Sequence, residues 1–214
     1  LDGDGPVHAF GTTVDVPAGA SATVVLTERI APARLWSDDA PHLYRLATTL
    51  VADGEPAPVE ATYLETVGLR TVDFDAERGF FVNGQPRTLR GVCLHEDAGC
   101  LGTAVPTVVW LRRLLALQAL GANAVRMAHN PHSPELYALC DLLGLYVIDE
   151  AFDEWENPKN KWWQGHNVYP PRHEGYAKHF PAWHEHDLAA MIGAHKNHAC
   201  VIAWSIGNEV DYPN

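Results

Sequence analysis

The sequence predicts an α/β protein in two parts: an antiparallel β-sandwich first, then repeated βα units that build a parallel sheet or barrel. Three observations carry this expectation. Up to residue 88, short β-branched runs alternate with Pro and Gly; after it, short apolar runs alternate with amphipathic stretches of helical length; and each apolar run of the second part ends in a polar cluster. The divisions fall at residues 1–75 for the sandwich, 76–88 for a hairpin leading onward, and 89–214 for the βα units.

In the first part, the run 21–30 (SATVVLTERI) is a candidate strand, followed by 43–51 (LYRLATTLV) and by 59–74, broken at Gly68. Pro17-Ala18-Gly19, Pro32, Pro41, Gly54 and Pro56 punctuate them. The runs 79–82 and 87–89 flank Asn83-Gly84-Gln85-Pro86, where Asn-Gly supplies the positive φ angles of a tight hairpin turn. In the second part the strands are 89–94, 122–127, 145–148 and 200–206. The first helix, 106–120, places Trp110, Leu111, Leu114, Leu115 and Leu117 on one side and stops at Gly121. Ser133-Pro134-Glu135 reads as a cap, a proline in the first turn and an acid at the positive end of the dipole. Gly144 closes that helix, and 184–195 is the third. The stretch 153–181 fits neither period; with Trp155, Trp162, Trp163 and Tyr169 it reads as a long aromatic loop, suited equally to stacking on sugar rings or to plugging itself onto the domain.

Composition narrows the function classes. The 214 residues are 47% hydrophobic and 20% charged, enough to bury a core, and the net charge of −12 disfavours nucleic acid and anionic membranes. No apolar run approaches the roughly 18 residues of a membrane span. The first residues lack the charged start and apolar run of a signal peptide, though they also lack an initiator Met. Cys93, Cys100, Cys140 and Cys200 form no CxxC pair, which favours free thiols and leans towards a reducing, cytoplasmic compartment.

Chemistry concentrates at the strand ends. The strands run into His95-Glu96-Asp97, into His129-Asn130 after Arg126, into Asp149-Glu150, and into Asn208-Glu209. In parallel βα folds those ends carry the active site. His95, His129 and Glu209 read as site residues, while Arg126, Asp149 and Glu150 read equally as site residues or as buried pairs holding the rim. No GxSxG, GxGxxG or phosphate loop is present, and carboxylates with His and Asn around a polyol pocket are the equipment of glycoside hydrolysis. His184-Glu185-His186, His195 and His198 lack metal-ligand spacing and read as solvated or structural.

The segments 90–96 (RGVCLHE), 123–131 (NAVRMAHNP), 140–151 (CDLLGLYVIDEA) and 204–209 (WSIGNE), in this order, resemble the signatures of glycoside hydrolase family two. Leu35-Trp36-Ser37, Pro41-His42-Leu43-Tyr44 and residues 81–86 resemble its immunoglobulin-like domain and the approach to its barrel. The resemblance implies a partial immunoglobulin-like sandwich followed by strands one to four of a (β/α)8 TIM barrel. It implies retention of configuration, with Glu209 as acid/base, Asn208 on the sugar 2-hydroxyl, and His95 and His129 on substrate, as in the β-galactosidase branch. Arg126 and Asp149 join that substrate-binding set. Cys93 and Leu94 depart from the common Asn and Arg. A magnesium ion is known in parts of the family; Glu154 matches one ligand position, but Glu156 stands where a His is expected. The nucleophilic Glu is expected on strand seven, beyond Asn214, so the 214 residues alone are expected to be inactive. The expected partner is a β-galactoside, with a homo-oligomer left open for the full-length form. The alternatives are a β-glucuronidase-type glycosidase of the same family and a non-catalytic carbohydrate-binding module.

Overall fold

The computed structural model describes residues 8–52, 59–159, 162–163, 166–167 and 175–210. The chain forms two units, residues 1–34 and residues 35–214.

In the first unit Pro17-Ala18-Gly19 turns as expected, with the Ala20 amide donating to the Pro17 carbonyl at 3.0 Å. The run 21–30 is not a strand. A strand is defined by a hydrogen-bonded neighbour, and no described residue pairs with this one, so Val24, Val25 and Leu26 stand exposed.

The second unit opens with β1 (Tyr44–Ala52) and β2 (Val59–Val67), a two-stranded antiparallel ladder that no other described strand joins. Gly68 breaks the run, as its sequence suggests, and β3 (Val72–Asp75), β4 (Gly79–Val82) and β5 (Gln85–Arg87) follow as a meander. The link between the last two shrinks to Asn83 (φ +52) and Gly84 (φ +72). Two positive φ angles match the right-handed twist of a hairpin, so Gln85 and Pro86 pair with β4 instead of looping.

Then come β6 (Gly91–His95), α1 (Thr107–Ala119), β7 (Ala124–Ala128), α2 (Pro134–Leu143) and β8 (Tyr146–Glu150). A two-residue pair, β9 (Trp162–Trp163) and β10 (His166–Asn167), precedes α3 (Phe180–His195) and β11 (Val201–Ser205). Strands β6, β7, β8 and β11 form one parallel sheet in that order. Successive parallel strands with helices between them are the repeating unit of a barrel wall.

The sheet's outer face packs on the helices. Val125, Met127 and Val147 meet Trp110 and Leu114 of α1 and Leu136 and Tyr137 of α2 in one buried cluster. Each such aliphatic side chain contributes roughly 1.5–3 kcal/mol by leaving water. Leu115, placed by its period on the buried side of α1, is instead 48% exposed. Helix α3 begins four residues earlier than its sequence suggests: Pro181 sits in its first turn, where a missing N–H costs nothing. At α2 the Ser133 hydroxyl makes no cap bond. The Glu96 carboxylate accepts the Ser133 amide at 2.6 Å, a stronger acceptor at the positive helix end. Gly144 ends α2 at φ +72, and a side chain there would also strike the Asp38 carbonyl 2.6 Å away.

Residues before β1 and between β2 and β3 are bolted to this sheet and its helices. Trp36 is fully buried and its indole N–H donates to the Asp141 carbonyl at 2.8 Å. Tyr146 donates to Asp38 at 2.9 Å, and the Arg70 guanidinium donates to the Ala199 and Val201 carbonyls.

Candidate active site

Parallel strands leave their C-terminal ends along one rim, which here holds His95, Glu150 and the residues just past β7 and β11. Glu150 is its hub. The side chain is fully buried, yet three side chains donate to it. Arg126 does so through Nε at 3.0 Å and Nη2 at 2.8 and 2.6 Å, His129 through Nδ1 at 2.7 Å, and Ser205 through its hydroxyl at 2.6 Å. Burial pushes the Glu150 pKa up, but the bonds from Ser205, His129 and Arg126 outweigh it and hold the carboxyl below its ordinary range. An ionised carboxylate only accepts, so His129 Nδ1 carries the hydrogen and Nε2 is left as the ring's other polar atom.

Arg126 extends the network. Its Nη2 also donates to Asn208 Oδ1 at 3.0 Å, and Nη1 faces the Cys93 sulfur at 3.5 Å. His95 stands edge-on to His129, ring centroids 5.0 Å apart. The structure therefore brings Arg126, His129, His95 and Asn208 together. Glu209 follows Asn208, its side chain exposed and its backbone in the left-handed region at φ +48.

Asp149 lies elsewhere, which corrects its grouping with the substrate-binding residues. It points to the outer face, fully buried, where Tyr137 donates to Oδ1 at 2.7 Å and His195 Nδ1 lies 2.7 Å from Oδ2. Successive residues of a strand face opposite sides, so Asp149 and Glu150 cannot share the rim. Glu154 is buried, and its two oxygens accept the Lys159 amide at 2.9 Å and the Ala177 amide at 3.1 Å. With both oxygens spent on backbone and Glu156 exposed, these residues do not fit a magnesium ligand set, and no step is drawn through a metal.

Among the described residues, Asp141, His198 and Cys200 form the one group with metal-like spacing. Its atoms satisfy one another: His198 Nδ1 lies 2.6 Å from Asp141 Oδ2, the Cys200 amide donates to Asp141 Oδ1 at 2.8 Å, and the Cys200 thiol donates to the Tyr137 carbonyl. Burial pushes that thiol well above its usual pKa, against the thiolate a metal requires.

Sequence reasoning left Glu150 undecided and missed Ser205. Register supplies the missing signal. Arg126 pairs with Ile148, so the side chain two residues on, Glu150, shares its face. Strands buried on both sides carry no polar alternation to reveal that parity. Trp155 is a plug of its loop: it stacks over Phe180, centroids 5.7 Å apart, and its indole N–H donates to the Ile206 carbonyl at 2.8 Å. The side chains of Trp162, Trp163 and Tyr169 lie outside the described residues.

A parallel βα sheet with a carboxylate-centred net of Arg, His and Asn on its C-terminal rim defines an α/β-barrel domain with a site at the usual end. Residues 75–214 match the family model for the TIM barrel domain of glycosyl hydrolases family 2. The chain belongs to that family. It is 42% identical over 195 residues to the β-galactosidase BoGH2A of Bacteroides ovatus, covering 90% of this chain and 21% of that protein. It is 37% identical to a putative β-glucuronidase of Formosa agariphila, covering 89% of this chain and 17% of the relative. A family 2 member from Bacteroides cellulosilyticus superposes with a TM-score of 0.71 at 38% identity, over 85% of this chain and 21% of that one. The β-glucuronidase of Parabacteroides merdae does so at 0.66 and 29%, over 85% and 20%. The chain thus spans about a fifth of the length of these relatives. No helix among the described residues is long and apolar enough to cross a membrane.

Proposed function

We propose that the chain carries the acid/base side of a retaining β-glycosidase site of the β-galactosidase type. Glu209 protonates the leaving oxygen and later activates water, Asn208 holds the sugar 2-hydroxyl, and His95 and His129 meet other hydroxyls. The observation that carries this reading is the connected net Glu150–Arg126–Asn208, which fixes the residue just before Glu209. Arg126 acts by tying β7, β8 and β11 together. The second carboxyl that retention needs, about 5–5.5 Å from the first, is assigned to the barrel's other half. A partial immunoglobulin-like sandwich over residues 1–75 is supported by the β1–β2 ladder alone.

Among the described residues, the two cations bonded around this net favour a galactoside over a glucuronide. Arg126 and Lys159 are already bonded to Glu150 and Asp153, so neither is a spare cation for a uronate carboxylate. The names of several relatives favour the glucuronide reading, and one assay separates the two. In the enzyme with the complete barrel, an aryl β-galactoside should have the higher kcat/KM than the matching β-glucuronide. Glu209→Gln should cut turnover of an alkyl β-galactoside by about 10²–10⁴-fold while sparing the first step with a dinitrophenyl galactoside. Equal losses on both would overturn the acid/base assignment.

A further inference from the structure

Glu209 holds a left-handed backbone conformation, φ +48, that a residue with a Cβ adopts only at a cost, and such a residue persists where its surroundings over-determine it. Among the described residues, the bonds that fix this turn are made by its neighbours, and besides the Arg126 bond to Asn208 they come from one loop. Past β8, the Phe152 carbonyl accepts the Asn208 amide at 3.0 Å and Asp153 Oδ1 accepts the Asn208 side-chain amide at 3.3 Å. Two residues further on, the Trp155 indole N–H donates to the Ile206 carbonyl at 2.8 Å. The same ring closely approaches Gly207: a Cβ there would stand 2.7 Å from Trp155 Nε1, nearer than any side chain can come. The ring itself is clamped from behind by Phe180, which packs edge-on against Phe152 at 5.3 Å.

We infer that Trp155 is a positioning residue for Glu209: its N–H on Ile206 and its close approach to Gly207 set the turn that aims the acid/base carboxyl. The inference rests on the assignment of Glu209 made above. Proton transfer to a leaving oxygen demands alignment within hydrogen-bond reach, so a turn displaced by a fraction of an ångström weakens the acid before it weakens sugar binding. The loss falls on substrates whose leaving group needs the proton and spares those whose leaving group departs as a stable anion.

The test uses the enzyme with the complete barrel and two substrates, an alkyl β-galactoside and a dinitrophenyl β-galactoside. Trp155→Phe keeps the apolar ring and removes the N–H; Gly207→Ala pushes the ring from the other side, so the test survives if either variant fails to fold. The expected result is a drop of about tenfold or more in kcat/KM, which reports the first step, for the alkyl substrate and little change in kcat/KM for the dinitrophenyl one. Glu209→Gln, run beside them, should show the same skew in stronger form. A merely structural tryptophan would lower both substrates together; that result, with Glu209→Gln still discriminating, overturns the inference and leaves the acid/base assignment standing. If Glu209→Gln fails to discriminate, the assignment falls and the inference with it.

Discussion

Glu150 stays charged in a place without water because Ser205, His129 and Arg126 surround its two oxygens with donors. Its folded pKa is depressed, so the unfolded chain takes up this proton at a higher pH than the folded one. The stability it contributes is therefore complete above the ordinary carboxylate value of about 4.3 and is lost as pH falls through the folded value. The unfolding midpoint, followed by circular dichroism from neutral pH down, should drop in acid and drop less steeply in Glu150→Gln; parallel curves would count against this role. At this scale the sequence was half legible. Strand ends rich in polar residues marked His95, His129, Arg126 and Asn208, which the structure joins in one net. The choice between Asp149 and Glu150 needed to know which way a doubly buried strand faces, and only its register with β7 supplies that.

The outward residue of that pair has its own task at the scale of the element. Asp149 binds β8 to α2 through Tyr137 and to α3 through His195, whose ring stacks on Tyr137 at 3.9 Å. Tyr137→Phe keeps the packing and removes one donor from a buried carboxylate, and should cost about 1–3 kcal/mol of stability in urea unfolding. A change below a few tenths would mean that Asp149 is satisfied without it. Strand and helix positions were readable because period and glycine punctuation act within a few residues, as at Gly68, Gly121 and Gly144. The cap at α2 was not. Ser133 is the expected residue type, but the acceptor comes from Glu96, 37 positions earlier in the sequence, and local pattern carries no trace of it.

At the scale of the whole molecule, β6 and β11 each pair with a single neighbour in the sheet, and apolar side chains stand exposed beside them, Val92, Val108 and Leu101 at one edge and Trp204 and Ile206 at the other. Unpaired strand edges flanked by apolar surface recruit other chains. The isolated 214-residue chain should therefore self-associate in light scattering and, on the proposed assignment of the second carboxyl to the barrel's other half, show no turnover of an activated aryl galactoside. Turnover by a clean monomer that vanishes with Glu209→Ala would contradict this. The βα rhythm made the barrel wall legible from sequence. The run 21–30 did not behave as a strand because β-propensity makes no ladder without a partner. The bolts that Trp36 and Arg70 make to the later βα units were invisible for a related reason, and they bear on how the molecule is made. Trp36 meets Asp141 across 105 residues, and Arg70 meets Ala199 across 129. Contacts of such span are slow to form, because the loop between them must be closed before any bond rewards it. On a ribosome, Trp36 and Arg70 emerge long before their partners, so the indole waits until α2 has been synthesised and the guanidinium until β11 has. The last strand described thus completes a contact that begins before β3, and the nascent chain depends on protection from aggregation throughout that interval.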